Sequence, residues 1–410
     1  MRIAHFSNTY LPHINGVARS VSTFREALSR LGHQVFVFAP DSPADHEETE
    51  PYIFRYPGVQ IPQFDYTLPV PHSRFVSKLL PSLKLHVIHS NHPVALGSTA
   101  ASYAEKLDLP LVFTFHTRYV KYADEYTDAV PFTKAFVGNI VVEELAKYLN
   151  RCHHVVTPSD SIKASLAKYA GLTERVTTIP TGIDLEPYRR ADGAAMRQKH
   201  GWRDKKILVS VGRLAAEKNV ETLLKAAAKV FHQHQSAHLV LIGDGPQSSD
   251  LHALVQELGV AGRVTFTGRI PFEQVPLYLK AADIFCFASV TETQGLVSME
   301  ALAAGLPVVA VNAGGTNDTV SHEQEGLLTD NTPAALAQAI ARVLSDETLA
   351  ARLKSGAEQK SKSFDMMTQA RRMLEVYGQA IEDKKAGRKI KVEGDEFWAR
   401  VKDDFSASNM

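Results

Sequence analysis

Ile284-Phe285-Cys286-Phe287-Ala288-Ser289-Val290-Thr291-Glu292-Thr293-Gln294-Gly295-Leu296-Val297-Ser298-Met299-Glu300-Ala301-Leu302-Ala303-Ala304-Gly305 is the stretch on which the fold turns. Ile284 to Ala288 is short and apolar throughout, the pattern of a strand covered on both faces. Ser289 to Gly295 is a polar turn, and Leu296 to Ala304 predicts a helix stopped by Gly305. At such a helix start the N–H groups of Gln294, Gly295, Leu296 and Val297 lack helical acceptors, and the helix dipole adds positive potential, so a phosphate suits the spot. Glu300 lies inside the helix and Glu292 on the loop, presenting two carboxylates at different depths. A carboxylate accepts two hydroxyls, so the vicinal diols of a ribose or hexose are fitting ligands; a solvated pair on a helix face is the alternative.

Working outward, short β-branched or aromatic runs alternate with helical patterns, which predicts βαβ units and parallel sheets. The runs are Ile3 to Phe6, Gln34 to Ala39, Val87 to Ser90, Leu111 to Phe115 and His154 to Thr157, then Lys206 to Val211, His238 to Ile242, Val264 to Thr267, the Ile284 strand and Leu306 to Val311. Five strands fall in each half. Thr177 to Asp184 and the polar stretch to about Asp204 read as the junction. Residues 1–180 are expected to form one Rossmann-like domain and 181–375 a second. Met366 to Ala380 has helical spacing, and 376–410 is expected to be a helix end and charged tail. Lys384, Lys385, Arg388, Lys389 and Lys391 make a solvated tail the expectation, with a membrane or acidic-surface contact as the alternative.

Composition narrows the function classes. At about 150 residues per domain, 410 residues suit two or three domains. Lys plus Arg (45) equals Asp plus Glu (45), so there is no bulk positive field for nucleic acid. Hydrophobic (44%) and charged (22%) fractions are those of a packed protein rather than a disordered one. The two cysteines, Cys152 and Cys286, form neither a disulfide framework nor a Cys-x-x-Cys zinc pair. His5, Ser7 and Asn8 interrupt the apolar run that a secretory signal needs. The uncharged stretches Leu85 to Ala104 and Ala301 to Asn317 contain histidines, prolines or glycines, so neither is expected to span a bilayer.

Other motifs sit at strand ends. Gly212 closes a strand, and Arg213 and Lys218 follow on the turn to the next helix, from which two cations could balance a diphosphate. Gly243-Asp244-Gly245-Pro246 lacks dinucleotide-binding spacing and reads as a tight βα turn, while Thr267-Gly268-Arg269-Ile270-Pro271 could touch a base with its backbone. Asn15-Gly16-Val17 precedes a helix, where Gly16 permits close approach of a ligand. His116 follows the Leu111 strand, a position expected in a cleft rather than a core. His86, His89 and His92 have spacings that place the first two on opposite faces of a strand, and no Asp-x-Asp occurs, so no metal ligands are assigned.

Taken together, Gly212-Arg213-Leu214 with Glu217-Lys218, Gly243-Asp244-Gly245-Pro246, and Glu292-x7-Glu300 with Ala301 to Val309 resemble family four of the retaining glycosyltransferases, over nearly the whole chain. The resemblance implies the GT-B architecture, two Rossmann-like α/β domains facing each other across a deep cleft, with the C-terminal helix packed back on the N-terminal domain. It implies that Arg213 and Lys218 grip a donor diphosphate, that Glu300 reads the ribose and Glu292 the sugar, that Arg269 and Ile270 flank the base, and that His116 meets a sugar hydroxyl. It also implies front-side attack, with no protein nucleophile. Gly16 stands alone where many members carry a glycine pair, and Asp318 stands where glutamate is commoner.

Asn8-Thr9-Tyr10-x-Pro12-x-x-Asn15-Gly16-Val17, His116-Thr117-Arg118-Tyr119-x-x-Tyr122, Pro180 to Asp184 and Thr291 to Leu296 are similar to bacterial 1,2-diacylglycerol 3-alpha-glucosyltransferases. That similarity implies UDP-glucose as donor, no tightly bound cofactor, diacylglycerol as acceptor with Tyr119 and Tyr122 near it, and a cytoplasmic enzyme on the inner face of the cell membrane. Tyr66 to Ala104 adds a physical reason. Arg74, Lys78 and Lys84 interleave with Phe75, Val76, Leu79, Leu80, Leu83 and Leu85, and no acidic residue intervenes, so an interfacial helix on an anionic leaflet is expected, with a packed helix as the alternative. Related readings are a phosphatidylinositol mannosyltransferase, a sulfoquinovosyltransferase or an enzyme with a soluble acceptor. Readings of another class are a nucleotide-sugar epimerase or hydrolase and a non-catalytic binder.

Overall fold

The computed structural model describes residues 1–13, 15–42, 48, 50–61, 66–116 and 143–393. The chain forms two compact units, Met1–Gly182 with Met366–Met410, and Ile183–Asp365.

The first unit is built on β1 (Arg2–Phe6), β2 (Gln34–Pro40), β3 (Ile53–Tyr56), β6 (Val87–Ser90), β7 (Leu111–Thr114), β8 (His154–Thr157) and β9 (Val176–Thr178), parallel in the order β3-β2-β1-β6-β7-β8-β9. Between β3 and β6 in sequence lies a separate antiparallel hairpin of β4 (Gly58–Ile61) and β5 (Tyr66–Pro69). The central strands are buried along their length, as the apolar runs require. One face packs Phe6, Phe38, Ile88 and Phe113 against the helices that connect the strands. The other is covered by helices Gly16–Arg30 and Met366–Lys385, whose Phe24, Leu28, Met373 and Tyr377 meet Ile3, Val35 and Val112. Asn15 starts the first of these helices by accepting the Ala18 N–H (2.9 Å).

The second unit has β10 (Lys206–Val211), β11 (Ala237–Ile242), β12 (Val264–Phe266), β13 (Ile284–Phe287), β14 (Val308–Val311) and β15 (Gly326–Thr329), parallel in the order β12-β11-β10-β13-β14-β15. Leu208, Leu239 and Val309 face one core, and Val209, Val240 and Phe285 face the other, as the period-two pleat dictates.

The ten expected strands are present, and three more extend the parallel sheets. β3, β9 and β15 lie at sheet edges, where polar residues such as Arg55, Thr177 and Thr329 break the apolar run, and β9 overlaps the stretch read as a junction. The charged tail is less solvated than its bases suggest. Gly387 turns with a positive φ of 67°, and the chain then lies against the first unit with Ile390 and Val392 buried. The Ile390 N–H donates to the Cys152 carbonyl (3.0 Å), and Asn150 exchanges two hydrogen bonds with Val392. Lys389 and Lys391 alternate outward, so this segment is pinned through its apolar residues and solvated only through its bases.

Candidate functional site

In an open parallel sheet, ligands bind where the strand order reverses, beyond the carboxyl ends of the strands. In the second unit that point lies between β10 and β13, and there the loops 212–219 and 289–295 meet. Lys218 and Glu292 form an ion pair between these loops, both side chains largely buried. Ser289, fully buried, places its hydroxyl 3.0 Å from the same Glu292 oxygen and 3.2 Å from the Glu217 carbonyl, and so ties the carboxylate to the backbone that carries Lys218. Asn219, in the left-handed region (φ 54°), donates to the Ala288 carbonyl and to Asn331. Arg213 is exposed on the same loop and makes no side-chain hydrogen bond or ion pair among the described residues.

Glycine shapes the seat. The Gly315 N–H donates to the Glu292 carbonyl (2.6 Å). A Cβ at Gly314 would lie 2.6 Å from that carbonyl oxygen, and one at Gly315 would overlap the Gln294 nitrogen. The loop carrying Glu292 therefore rests on backbone that no side chain may thicken. Gly295 starts the Leu296–Ala303 helix in the left-handed region (φ 75°), and the N–H groups of Gly295, Leu296 and Val297 precede the first helical bonds, which Ser298 and Met299 make to the Gly295 carbonyl. The Gln294 side chain turns to the Met299 sulfur (3.0 Å), while its carbonyl accepts from Thr319 (2.6 Å). Glu300 is 1% exposed on the helix.

The Gly243-Asp244-Gly245 turn serves as a buttress. Gly243 abuts the Gly212 carbonyl and Gly245 abuts the Leu214 backbone, both closer than a Cβ would allow. The Leu214 N–H donates to the Asp244 carbonyl (3.0 Å). Arg213 thus stands on a loop braced from behind. Arg269 is exposed and Ile270 half-buried after β12.

Gly16 and His116 belong to the first unit, whose own reversal point lies between β1 and β6. Gly16 is the exposed first residue of its helix. His116 follows β7, 8% exposed, and its Nε2 is 3.0 Å from Asn91 Oδ1. The Asn8 N–H donates to His92 Nδ1 (3.1 Å) across the β1–β6 gap. Burial, followed by the neighbouring His92 and His5, lowers the His116 pKa to about 3; burial lowers that of His92 to about 4. His86, His89 and His92 are dispersed as their spacing suggests. His86 accepts from the Arg2 N–H, and His89 is bonded to Tyr377 (2.7 Å) and Thr114 (2.7 Å). Among the described residues no three His, Cys, Asp or Glu side chains are grouped to hold a metal. Tyr119 and Tyr122 lie outside the described residues.

The Arg74–Leu79 helix and the turn after it bury Val76, Leu80 and Leu85 in the first unit's core. Of the six apolar residues expected at an interface, only Phe75 is strongly exposed, at 64%. The helix packs because its apolar side is needed by the sheet; Arg74, Lys78 and Lys84 remain exposed, as do Val59, Leu68 and Val70 on and beside the hairpin. Among the described residues no helix is long and apolar enough to cross a membrane.

Sequence reasoning passed over Ser289, Asn219, Gly314, Gly315 and Asn91 as site residues. A serine three residues before a loop carboxylate and a glycine pair after a strand are usable signals; Asn91 reaches His116 only through the sheet.

Fold and site together define a GT-B glycosyltransferase, with parallel sheets in both units. Residues 14–187 match the pattern described as Glycosyltransferase Family 4, and 192–360 that of Glycosyl transferases group 1. The chain is 34% identical over 337 residues to the alpha-monoglucosyldiacylglycerol synthase of Streptococcus pneumoniae, covering 80% of this chain and 75% of that one. It is 33% identical over 325 residues to the protein of the same name from Acholeplasma laidlawii, covering 75% and 80%. The crystal structure of Anabaena HepE in complex with UDP shares the fold, with a TM-score of 0.75 over 92% of this chain and 99% of that one at 22% identity. The chain belongs to glycosyltransferase family 4, and it is related to glucosyldiacylglycerol synthases.

Proposed function

We propose that the protein transfers glucose from UDP-glucose to the free hydroxyl of diacylglycerol with retention of the α configuration, using no tightly bound cofactor and no Asp-x-Asp-held metal. The observation that carries this reading is the meeting of Lys218, Glu292 and the exposed Arg213 loop at a helix start, in a chain similar over three quarters of its length to two glucosyldiacylglycerol synthases. Arg213, Lys218 and the N–H groups of Gly295, Leu296 and Val297 would hold the diphosphate, Glu300 the ribose and Glu292 the glucose; Arg269 and Ile270 would flank uracil. Gln294 contributes backbone rather than side chain. Gly16 would let a ligand approach the first unit's helix start, and His116 would meet a sugar hydroxyl.

In the reaction the acceptor oxygen bonds to the anomeric carbon as the bond to the phosphate oxygen breaks, and the acceptor proton passes to the departing diphosphate. The guanidinium and ammonium groups offset the charge that grows on that diphosphate, the electrostatic contribution on which such sites rely. Exposed Arg74, Lys78 and Lys84, with Phe75, Val59, Leu68 and Val70, support peripheral contact with an anionic membrane; we place this on the inner face of the cell membrane.

The test is to incubate the purified protein with radiolabelled UDP- and GDP-sugars and mixed liposomes containing diacylglycerol. Glucose label from UDP-glucose is expected in the organic phase. Label that enters only from GDP-mannose, or UDP released at full rate without acceptor, would replace this reading with a mannosyltransferase or a hydrolase.

A further inference from the structure

We propose that Asn91 is a positioning residue that locks His116 as a hydrogen-bond acceptor, so that the ligand group His116 meets is a hydroxyl and not an anion. The starting point is the Phe6 carbonyl at the end of β1. It receives two N–H groups from Asn91, the backbone amide at 2.9 Å and the side-chain Nδ2 at 3.2 Å. A carbonyl oxygen only accepts, so the amide end facing it must be the NH2 group; the rotated amide would set oxygen against oxygen. The other end of the amide, Oδ1, then faces His116 Nε2 at 3.0 Å, and since Oδ1 also only accepts, the ring proton sits on Nε2.

What remains is Nδ1. Among the described residues the ring's one hydrogen bond is the one at Nε2. The charged state is disfavoured on every described side. The ring is buried, the titratable groups acting on it are the imidazoles of His92 and His5, and no carboxylate is among them. A neutral ring with its proton on Nε2 offers a lone pair at Nδ1. A hydroxyl can donate to it. A carboxylate, sulfonate or phosphate would bring lone pairs against a lone pair in a poorly solvated place, and a buried mismatch of that kind is what gives polar sites their steepest discrimination. The inference rests on the reading of His116 as a sugar-contacting residue, and it narrows the donor class to neutral hexoses over uronic or sulfonated ones.

Two measurements test it. The first needs no turnover: long-range proton–nitrogen spectra of protein labelled with nitrogen-15 histidine, with the His116→Gln spectrum subtracted to assign the ring. The expected result is a protonated Nε2 and a bare Nδ1 between pH 6 and pH 8, and a mixture of both tautomers in Asn91→Leu. A protonated Nδ1 in the wild-type chain, or an unaltered pattern in Asn91→Leu, would overturn the proposal. The second measurement is the ratio of kcat/KM for UDP-glucose to that for UDP-glucuronate, which differs by one carboxylate. Asn91→Leu removes the acceptor that holds the proton on Nε2, so Nδ1 becomes a donor in part of the molecules and the ratio should fall at least tenfold. An unchanged ratio in a folded variant counts against the proposal, and if that variant does not fold the wild-type spectrum decides alone. A chain that turned over no nucleotide sugar would end the reading of function while leaving the spectrum to speak for the tautomer.

Discussion

The two units have the same inner strand order about a reversal point, β2-β1-β6-β7 in one and β11-β10-β13-β14 in the other, yet the two gaps hold opposite chemistry. Between β10 and β13 stand a lysine and a glutamate in an ion pair, with an exposed arginine on the same loop. Between β1 and β6 stand asparagines and histidines that burial keeps neutral. The shared topology provides a location, and the side chains decide whether it handles charge or hydroxyls.

The largest effect should come from breaking the charged gap. Lys218→Ala and Arg213→Ala are each expected to lower turnover by about 10²- to 10³-fold, with folding retained, as for loss of one preorganised charge-stabilising group. Steady-state kinetics with a saturating donor check this, and a change of KM alone would reassign the residue to donor affinity.

Next comes the glycine seat. Gly315→Ala pushes a methyl into the Gln294 backbone and should cost about 1–3 kcal/mol, read by denaturant unfolding, with a parallel loss of activity. Asn91→Leu lies in the first unit and should leave the second unit's stability unchanged.

Acid should separate the units. His5 is lowered to about 3 and His92 to about 4 by burial, and His89 and His116 are lowered as well, against an unfolded value near 6.5. Between those values the unfolded chain binds more protons than the folded one, so stability is full above pH 6.5 and is lost as the pH falls towards 3. His238, lowered to about 4, is the comparable case in the second unit. Hydrogen exchange followed by mass spectrometry should therefore show the Met366–Lys385 helix, bound through Tyr377 to His5 and His89, opening at a higher pH than the Leu296–Ala303 helix. Simultaneous opening would mean that the neutral network does not set the acid limit.

The smallest effect concerns the surface. Phe75→Ser should shift stability by less than about 0.5 kcal/mol, because the ring is already in solvent, while Val76→Ala should cost about 1–2 kcal/mol. If Phe75 touches lipid, vesicle flotation will fall in the first variant and not in the second.

How much of this was legible depended on range. The Ile284 strand, its loop and the Leu296 helix are local patterns, and they appear within a residue of expectation. Lys218 and Glu292 could be placed at one sheet edge because each follows a strand. Their mutual contact, and the Ser289 hydroxyl joining them, depend on which strands are neighbours, and spacing carries no such information. Asn91 and His116 are 25 residues apart and meet only because β6 and β7 pair. For a related reason the stretch from Arg74 to Leu85 reads both as an interfacial helix and as a packed one. Its apolar residues fit a lipid surface and a protein core equally well by composition, and the choice was made by the sheet beneath them.

One more consequence follows from the path of the chain. Both its beginning and its last helix belong to the first unit, and the second unit is entered at Ile183 and left at Asp365, residues that pair with each other. Gly182 and Met366, the flanking residues, are so close that a side chain on the glycine would collide with the methionine. The second unit is therefore a cassette with adjoining ends. It could be excised and circularised, and its host resealed by a short splice, without stretching either piece.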